Sequence, residues 1–311
     1  MASGTLAMIF PGQGSQHVGM LAELAAAHPI VIDTFDEASE VLGYDLWQLV
    51  QNGTAEELSL THITQPAILT ASVALWRLWQ EQGGELPDVV AGHSLGEYSA
   101  LVAAGALEFR DAVALVEQRG KFMQSAVPVG TGSMAAVIGL DDDAVIKACA
   151  EASSDEVVAA VNFNAPGQVV IAGHVGAVEK AGAGCKAAGA KRVLPLPVSA
   201  PFHSPLMKPA AERFAEVLAK VEIKAPSIAV LHNVGVEPCN DPAVIRQKLV
   251  EQIYAPVPWV ATVNALAARG ITRALEIGPG KVLNGLNKRI QPDMAVASVN
   301  DPASLEAALS A

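Results

Sequence analysis

The stretch Val89-Val90-Ala91-Gly92-His93-Ser94-Leu95-Gly96-Glu97 decides how the chain is read. Val89 to Ala91 is the short apolar run of a buried strand, introduced by Leu86-Pro87-Asp88. From Leu95 to about Ala104 the residues predict a helix, stopped by Gly105. Ser94 therefore falls on a sharp strand-to-helix turn, with glycine two residues before it and two after. That G-x-S-x-G spacing has a mechanical cause: the turn is strained, and only glycine lets strand and helix approach so closely. Such a turn lifts the serine hydroxyl above the sheet edge, beside the free N–H groups of a helix N-terminus. The strand before and the helix after distinguish the motif from a chance spacing among 26 glycines, and make Ser94 the candidate nucleophile.

Working outward, Leu6 to Phe10 predicts a first strand, followed by the tight turn Pro11-Gly12-Gln13-Gly14-Ser15-Gln16. A G-x-G after a first strand invites a dinucleotide reading, but His17 stands where the third glycine belongs and no Walker lysine follows. The loop is better used to point backbone N–H groups at a reacting oxygen. Pro29 opens a helix whose apolar positions run Val31, Ile32, Phe35, Ala38, Val41 and Leu42, and Gly43 closes it. A second helix is predicted to begin at Thr64-Gln65-Pro66. It is apolar nearly all round, and its tryptophans Trp76 and Trp79 read as core.

The helix from about Asp111 to Gln124 carries Ala112, Leu115, Val116, Phe122 and Met123 on one face, and Arg119 completes the period between them. An inward arginine needs a partner, because an unpaired buried charge is costly. That partner is either a buried Asp or Glu, or a substrate carboxylate held by the guanidinium fork.

From Gly130 to Ser199 the pattern changes to strand, helix, strand, strand, helix, strand. The strands are expected at Met134 to Gly139, Val157 to Asn162, Gln168 to Gly173 and Lys191 to Val198, with a turn over Phe163 to Gly167. That βαββαβ order is the ferredoxin-like split unit. The expected fold class is α/β: an α/β-hydrolase-like core with a parallel sheet, over residues 1–129 and 199–311, interrupted by a ferredoxin-like subdomain over 130–198. Strands near Ile228 to His232, Ile271 to Ile277 and Met294 to Ser298 alternate with helices in the last third.

His203 follows in the prolyl-framed loop Pro201-Phe202-His203-Ser204-Pro205, and of the seven histidines it is best placed as a base for Ser94. His93 adjoins the nucleophile, but its side chain is expected to point elsewhere, and His17, His174 and His232 are weaker candidates. A Ser94–His203 pair suits nucleophilic acyl transfer through an acyl-enzyme. The oxyanion would be held by the N–H of Leu95, the residue after the nucleophile, and by one from the first loop, with Gln13 the natural donor. None of the aspartates between Ser94 and His203 falls at a strand end of the main sheet, so a dyad oriented by a neutral group is expected. No H-E-x-x-H or paired C-x-x-C occurs, which argues against a metal.

Bulk properties exclude several classes of function. The chain has 311 residues, 51% hydrophobic and 17% charged, enough for a large core and without a run of the roughly 18 apolar residues that a membrane span requires. Twenty basic against 32 acidic residues leave a net charge of −12, which argues against nucleic acid as a partner. Cys149, Cys185 and Cys239 are odd in number and far apart, as in a reduced, cytoplasmic protein, and the N-terminus shows no basic leader. No coiled coil or interface motif is present, so a monomer is expected.

Four blocks, Pro11-Gly12-Gln13-Gly14-Ser15-Gln16, Gly92-His93-Ser94-Leu95-Gly96-Glu97, Gln118-Arg119-Gly120 and Pro201-Phe202-His203-Ser204, resemble the signatures of malonyl-CoA:acyl carrier protein transacylases in their order along the chain. The resemblance extends to Thr64-Gln65-Pro66-Ala67, to Asn162 through Gln168 and to Glu276-Ile277-Gly278-Pro279-Gly280. It implies ping-pong transfer of malonyl from coenzyme A, through Ser94, to the phosphopantetheine thiol of acyl carrier protein, with no bound cofactor. It also implies that His203 is the base, oriented by the backbone carbonyl of Gln252, and that Gln13 and Leu95 form the oxyanion hole. Arg119 would grip the malonyl carboxylate, in a pocket shared with Gln65, His93, Asn162 and Phe202, and Phe202 matches the malonyl-selective pattern. Carrier protein is typically acidic, as is this chain, so docking needs local positive charge, for which Lys191-Arg192 and Lys288-Arg289 are the candidates. The rival readings are a serine thioesterase and a non-catalytic carrier-binding module. The inward Arg119 disfavours the first, and an intact serine, histidine and arginine the second.

Overall fold

A computed structural model describes residues 5–198 and 200–311. The ends of the expected domain segments at residues 1–4 and at Ser199 lie outside these. Among the described residues nine strands form two sheets: β1 (Leu6–Phe10), β2 (Val89–Gly92), β3 (Gly132–Ile138), β4 (Val158–Ala165), β5 (Gln168–His174), β6 (Arg192–Pro195), β7 (Ala229–Leu231), β8 (Arg273–Ile277) and β9 (Ala295–Val299). The first sheet has the order β7-β2-β1-β8-β9 and is parallel throughout. Every residue of β1 is fully buried, as a central strand covered by helices on both faces requires. The second sheet, β4-β5-β3-β6, is antiparallel and is built from one continuous segment with two helices, Asp142–Ala152 and Val175–Ala187. The protein is thus α/β, with a parallel sheet and a separate antiparallel one.

In an open parallel sheet the groove lies outside the carboxyl ends of the strands, where the strand order reverses. Here β1 is the pivot, with β2 and β7 to one side and β8 and β9 to the other. The carboxyl ends of β1, β2 and β7 lead directly into Gln13, Ser94 and Asn233, which is how residues far apart in sequence come to share one place.

Several elements differ in extent from the sequence expectation. The helix expected from Thr64 begins at Thr61 and runs to Glu81 with Pro66 inside it. The neighbouring Phe109–Gln124 helix presses on its first turn, where a Cβ on Gly120 would come within 2.6 Å of His62 Cα. β4 continues to Ala165, because Phe163 and Ala165 pair with Val169 and Gln168, so the expected five-residue turn shrinks to Pro166-Gly167. β6 ends at Pro195, short of Val198, since pairing with β3 stops at Ala135. Among the described residues no helix is long and apolar enough to cross a membrane.

Candidate active site

The turn at Ser94 shows why both flanking positions are glycine. A Cβ on Gly92 would lie 1.9 Å from the Gly96 carbonyl carbon, and one on Gly96 would lie 2.0 Å from the Phe10 carbonyl oxygen of β1. Ser94 itself has φ 52°, in the left-handed region that few non-glycine residues adopt. Its N–H donates to Asn233 Oδ1 at 2.9 Å, which ties the strained turn to the end of β7.

Ser94 Oγ lies 2.7 Å from His203 Nε2, and His203 Nδ1 lies 2.9 Å from the backbone oxygen of Gln252. The carbonyl can only accept, so Nδ1 carries the proton and Nε2 is left as an acceptor facing the serine. His203 is buried and also has a positive φ, 62°. Burial, reinforced by the nearby Arg119 charge and opposed by the Gln252 carbonyl, lowers its pKa to about 3. The imidazole is therefore neutral, and able to accept a proton, across the physiological range.

That depressed pKa has a consequence for stability. In the unfolded chain histidine protonates near pH 6.5, while in the folded protein it does not until about pH 3. Stability from this source is complete above pH 6.5 and is lost progressively as the pH falls below that value. At pH 5 the loss amounts to about 2 kcal/mol. Urea denaturation from pH 7 to pH 5 should show a shallower decline in a His203→Asn variant than in the parent. Equal declines would exclude His203 as the source. His93, lowered by burial against an opposing hydrogen bond to Asn164, contributes in the same direction to both proteins.

Arg119 is 1% exposed and points at the same hydroxyl. Its Nη2 donates to Ser94 Oγ at 3.1 Å and to Gln252 Oε1 at 2.9 Å, its Nη1 donates to Gln65 Oε1 at 2.8 Å, and the Tyr98 ring lies 5.3 Å from Cζ. Among the described residues no carboxylate forms an ion pair with it, and Nε has no partner. Two neutral amides hold the guanidinium while its charge remains unmatched at close range. Of the two sequence readings of Arg119, the salt bridge to a buried acid is the one these contacts do not provide.

One cleft, with about 120 Å³ of space, is lined by Ser94, His203, Arg119, Gln13, Leu95, Gln65, His93, Asn162 and Phe202. His93 was expected to point away; it borders this cleft and places Nε2 2.8 Å from Asn164 Oδ1. Gln252 does not line the cleft and holds His203 and Arg119 from behind. The apolar wall of Met123, Met134, Leu196 and Val198 was not foreseen, nor were Glu97, His232 and Asn233 as a buried polar group beneath the turn. Leu95 stands at the N-terminus of the Gly96–Ala103 helix, where first-turn N–H groups lack helical acceptors. Asn162 Oδ1 is buried without a partner among the described residues.

The four basic residues gather near the Pro166-Gly167 turn. Arg289 donates to the Pro166 carbonyl at 2.8 Å and to the Gln168 side chain, and Lys288 is its neighbour in the last turn of the Val282–Ile290 helix. Arg192 pairs with Ile138, itself the partner of Gln168, and Lys191 lies against Gly139. Arg289 is thus partly engaged in joining the two sheets.

A serine, an imidazole base and a free N–H terminus around one cleft are the parts of an acyl-transfer site. Residues 7–299 match the acyl transferase domain family, and the protein is an acyltransferase. The malonyl CoA-acyl carrier protein transacylase of Salmonella typhimurium is 62% identical over 97% of this chain and 98% of its own length. That of Bacillus subtilis is 48% identical over 98% and 96%. Among solved structures, an acyl carrier protein S-malonyltransferase from Vibrio cholerae superposes with a TM-score of 0.96 at 58% identity, covering 97% of this chain and 99% of its own. A malonyl-transacylase in complex with its type II PKS acyl-carrier protein gives 0.97 at 57%, covering 98% and 99%. The chain belongs to the malonyl CoA-acyl carrier protein transacylase family.

Proposed function

We propose that the protein moves a malonyl group from malonyl-CoA to the phosphopantetheine thiol of acyl carrier protein by a ping-pong mechanism through malonyl-Ser94. His203 Nε2 accepts the Ser94 proton as Oγ attacks the thioester carbonyl carbon. The N–H groups of Leu95 and Gln13 stabilise the resulting oxyanion. As it collapses, the carbon–sulfur bond breaks and His203 returns the proton to the coenzyme A sulfur. The carrier thiol then gives its proton to His203 and attacks the malonyl ester, and Ser94 Oγ leaves with that proton. The Gln252 carbonyl keeps Nδ1 protonated through both halves. The observation that carries the reading is the buried, carboxylate-free Arg119 guanidinium beside the nucleophile, a cation placed where the free carboxylate of a short diacid would meet it.

Intact-mass measurement after separate mixing with malonyl-CoA and acetyl-CoA tests the reading. A single malonyl adduct should form, persist in water and disappear on adding holo carrier protein. Free malonate and coenzyme A without an adduct would indicate a hydrolase, and no turnover of either thioester would leave only a binding role.

For carrier docking we propose the basic group around Pro166-Gly167, because β4 runs from the cleft at Asn162 directly into that turn. Reversing the charge at Lys191, Arg192 and Lys288 is expected to raise the KM for carrier protein and leave malonyl-adduct formation from malonyl-CoA unchanged. An unaltered KM would remove this surface from consideration.

A further inference from the structure

Beneath Ser94 and Arg119 lies a buried polar group that the transfer steps do not use. Glu97, completely buried in the first turn of the Gly96–Ala103 helix, places Oε1 2.7 Å from His232 Nδ1. Its Oε2 accepts from the Asn233 N–H at 3.1 Å and from Gln252 Nε2 at 2.6 Å. Gln252 Nε2 also donates to the backbone oxygen of Ser94 at 3.0 Å, and its Oε1 accepts from Arg119 Nη2 at 2.9 Å.

The Gln252 amide has one workable orientation in this setting. A carboxylate and a peptide carbonyl only accept, so the amide must turn its NH2 toward them. Reversed, it would set two acceptors against each other and an N–H against the guanidinium. Glu97 thereby fixes Oε1 on Nη2, the same nitrogen that reaches Ser94 Oγ.

The charges follow from the same contacts. His232 Nε2 is buried without a partner among the described residues. A neutral ring protonated on Nδ1 leaves only a lone pair there, whereas an imidazolium would leave an unpaired charged N–H. His232 therefore orients Glu97 without neutralising it, and the counter-charge is Arg119, reached across the amide. The spacer balances the two buried charges and keeps the guanidinium out of a closed ion pair.

We propose that Glu97 is a positioning residue for the substrate carboxylate, acting through Gln252 to hold Arg119 beside Ser94 as an uncommitted cation. The proposal rests on the reading of Arg119 as the malonyl grip. Its test is the ratio of malonyl to acetyl kcat/KM for acyl-enzyme formation. Glu97→Asp withdraws the acceptor by one methylene and is expected to lower the ratio about tenfold, chiefly through the malonyl KM, as for loss of one hydrogen bond to a charged group. Glu97→Gln should keep the ratio within about threefold while lowering stability, because His232 can accept from the new amide only by carrying its proton on the unpartnered Nε2, which still leaves an oxygen for Gln252. Gln252→Met should lower the ratio, and adding Glu97→Asp should lower it no further.

A Glu97→Asp protein that loses both activities equally, or neither, would overturn the proposal. If that variant does not fold, a Glu97→Gln ratio as low as that of Gln252→Met would overturn it instead. Arg119→Ala is the control: equal loss of both acyl groups there would remove the malonyl-grip reading itself, whereas a selective loss with an unchanged Glu97→Asp would remove only this link.

Discussion

Ser94→Ala is expected to abolish the acyl adduct and to lower malonyl transfer by about 10⁶-fold, the scale seen when one member of a tightly cooperating nucleophile and base is removed. Ser94 Oγ and His203 Nε2 are 2.7 Å apart, and in the proposed mechanism neither serves without the other: the hydroxyl needs a base, and without the acyl-serine the base has no second half-reaction to assist. His203→Ala should therefore be nearly as damaging, and the double variant little worse than either single one. Rates measured by single-turnover transfer would test this. Multiplied losses in the double variant would mean that the two residues act independently, and the mechanism above would fail. The proposed cooperation rests on the Gln252 carbonyl, which accepts from Nδ1 and so leaves Nε2 unprotonated toward the serine.

The second large effect concerns selectivity. Arg119→Ala is expected to cost malonyl transfer about 2–5 kcal/mol, as for truncating one partner of a buried charge pair, or about 30- to 5000-fold in kcat/KM. Acetyl transfer should fall much less, because an acetyl group offers no carboxylate. It should not be untouched, since Arg119 also donates to Ser94 Oγ and steadies Gln65 and Gln252. The ratio of the two activities is therefore the quantity to measure. An unchanged ratio would make Arg119 a purely structural cation.

Much of this site could be read from the chain because its chemistry is carried by local patterns. The turn at Ser94 announces itself through two glycines and a change from strand to helix within nine residues. Arg119 stands out because a charge interrupts an apolar stripe. What could not be read is how side chains meet over long separations. Asn233 reaches Ser94 from 139 residues away, and Gln252 reaches Glu97 from 155. Glu97 lies inside the motif, but nothing in the local pattern says that an amide separates it from Arg119. Strand ends were misjudged for a related reason. Phe163 and Ala165 belong to β4 because of partners on β5, and pairing is a property of two strands. The cleft's apolar wall combines Met123 of a core helix with Met134 of the second sheet and Leu196 just past the end of β6, a meeting that no single segment signals.

The positive φ angles at Ser94 and His203 bear on how such a protein changes under selection. A non-glycine residue in that backbone conformation gives up about 1–2 kcal/mol, which glycine would recover at the same position. Selection for heat resistance alone would thus favour, as far as the main chain is concerned, discarding the two side chains to which the proposed transfer assigns its chemistry. Their retention sets a ceiling on the stability reachable without loss of activity, and gains must come from parts of the molecule remote from the cleft.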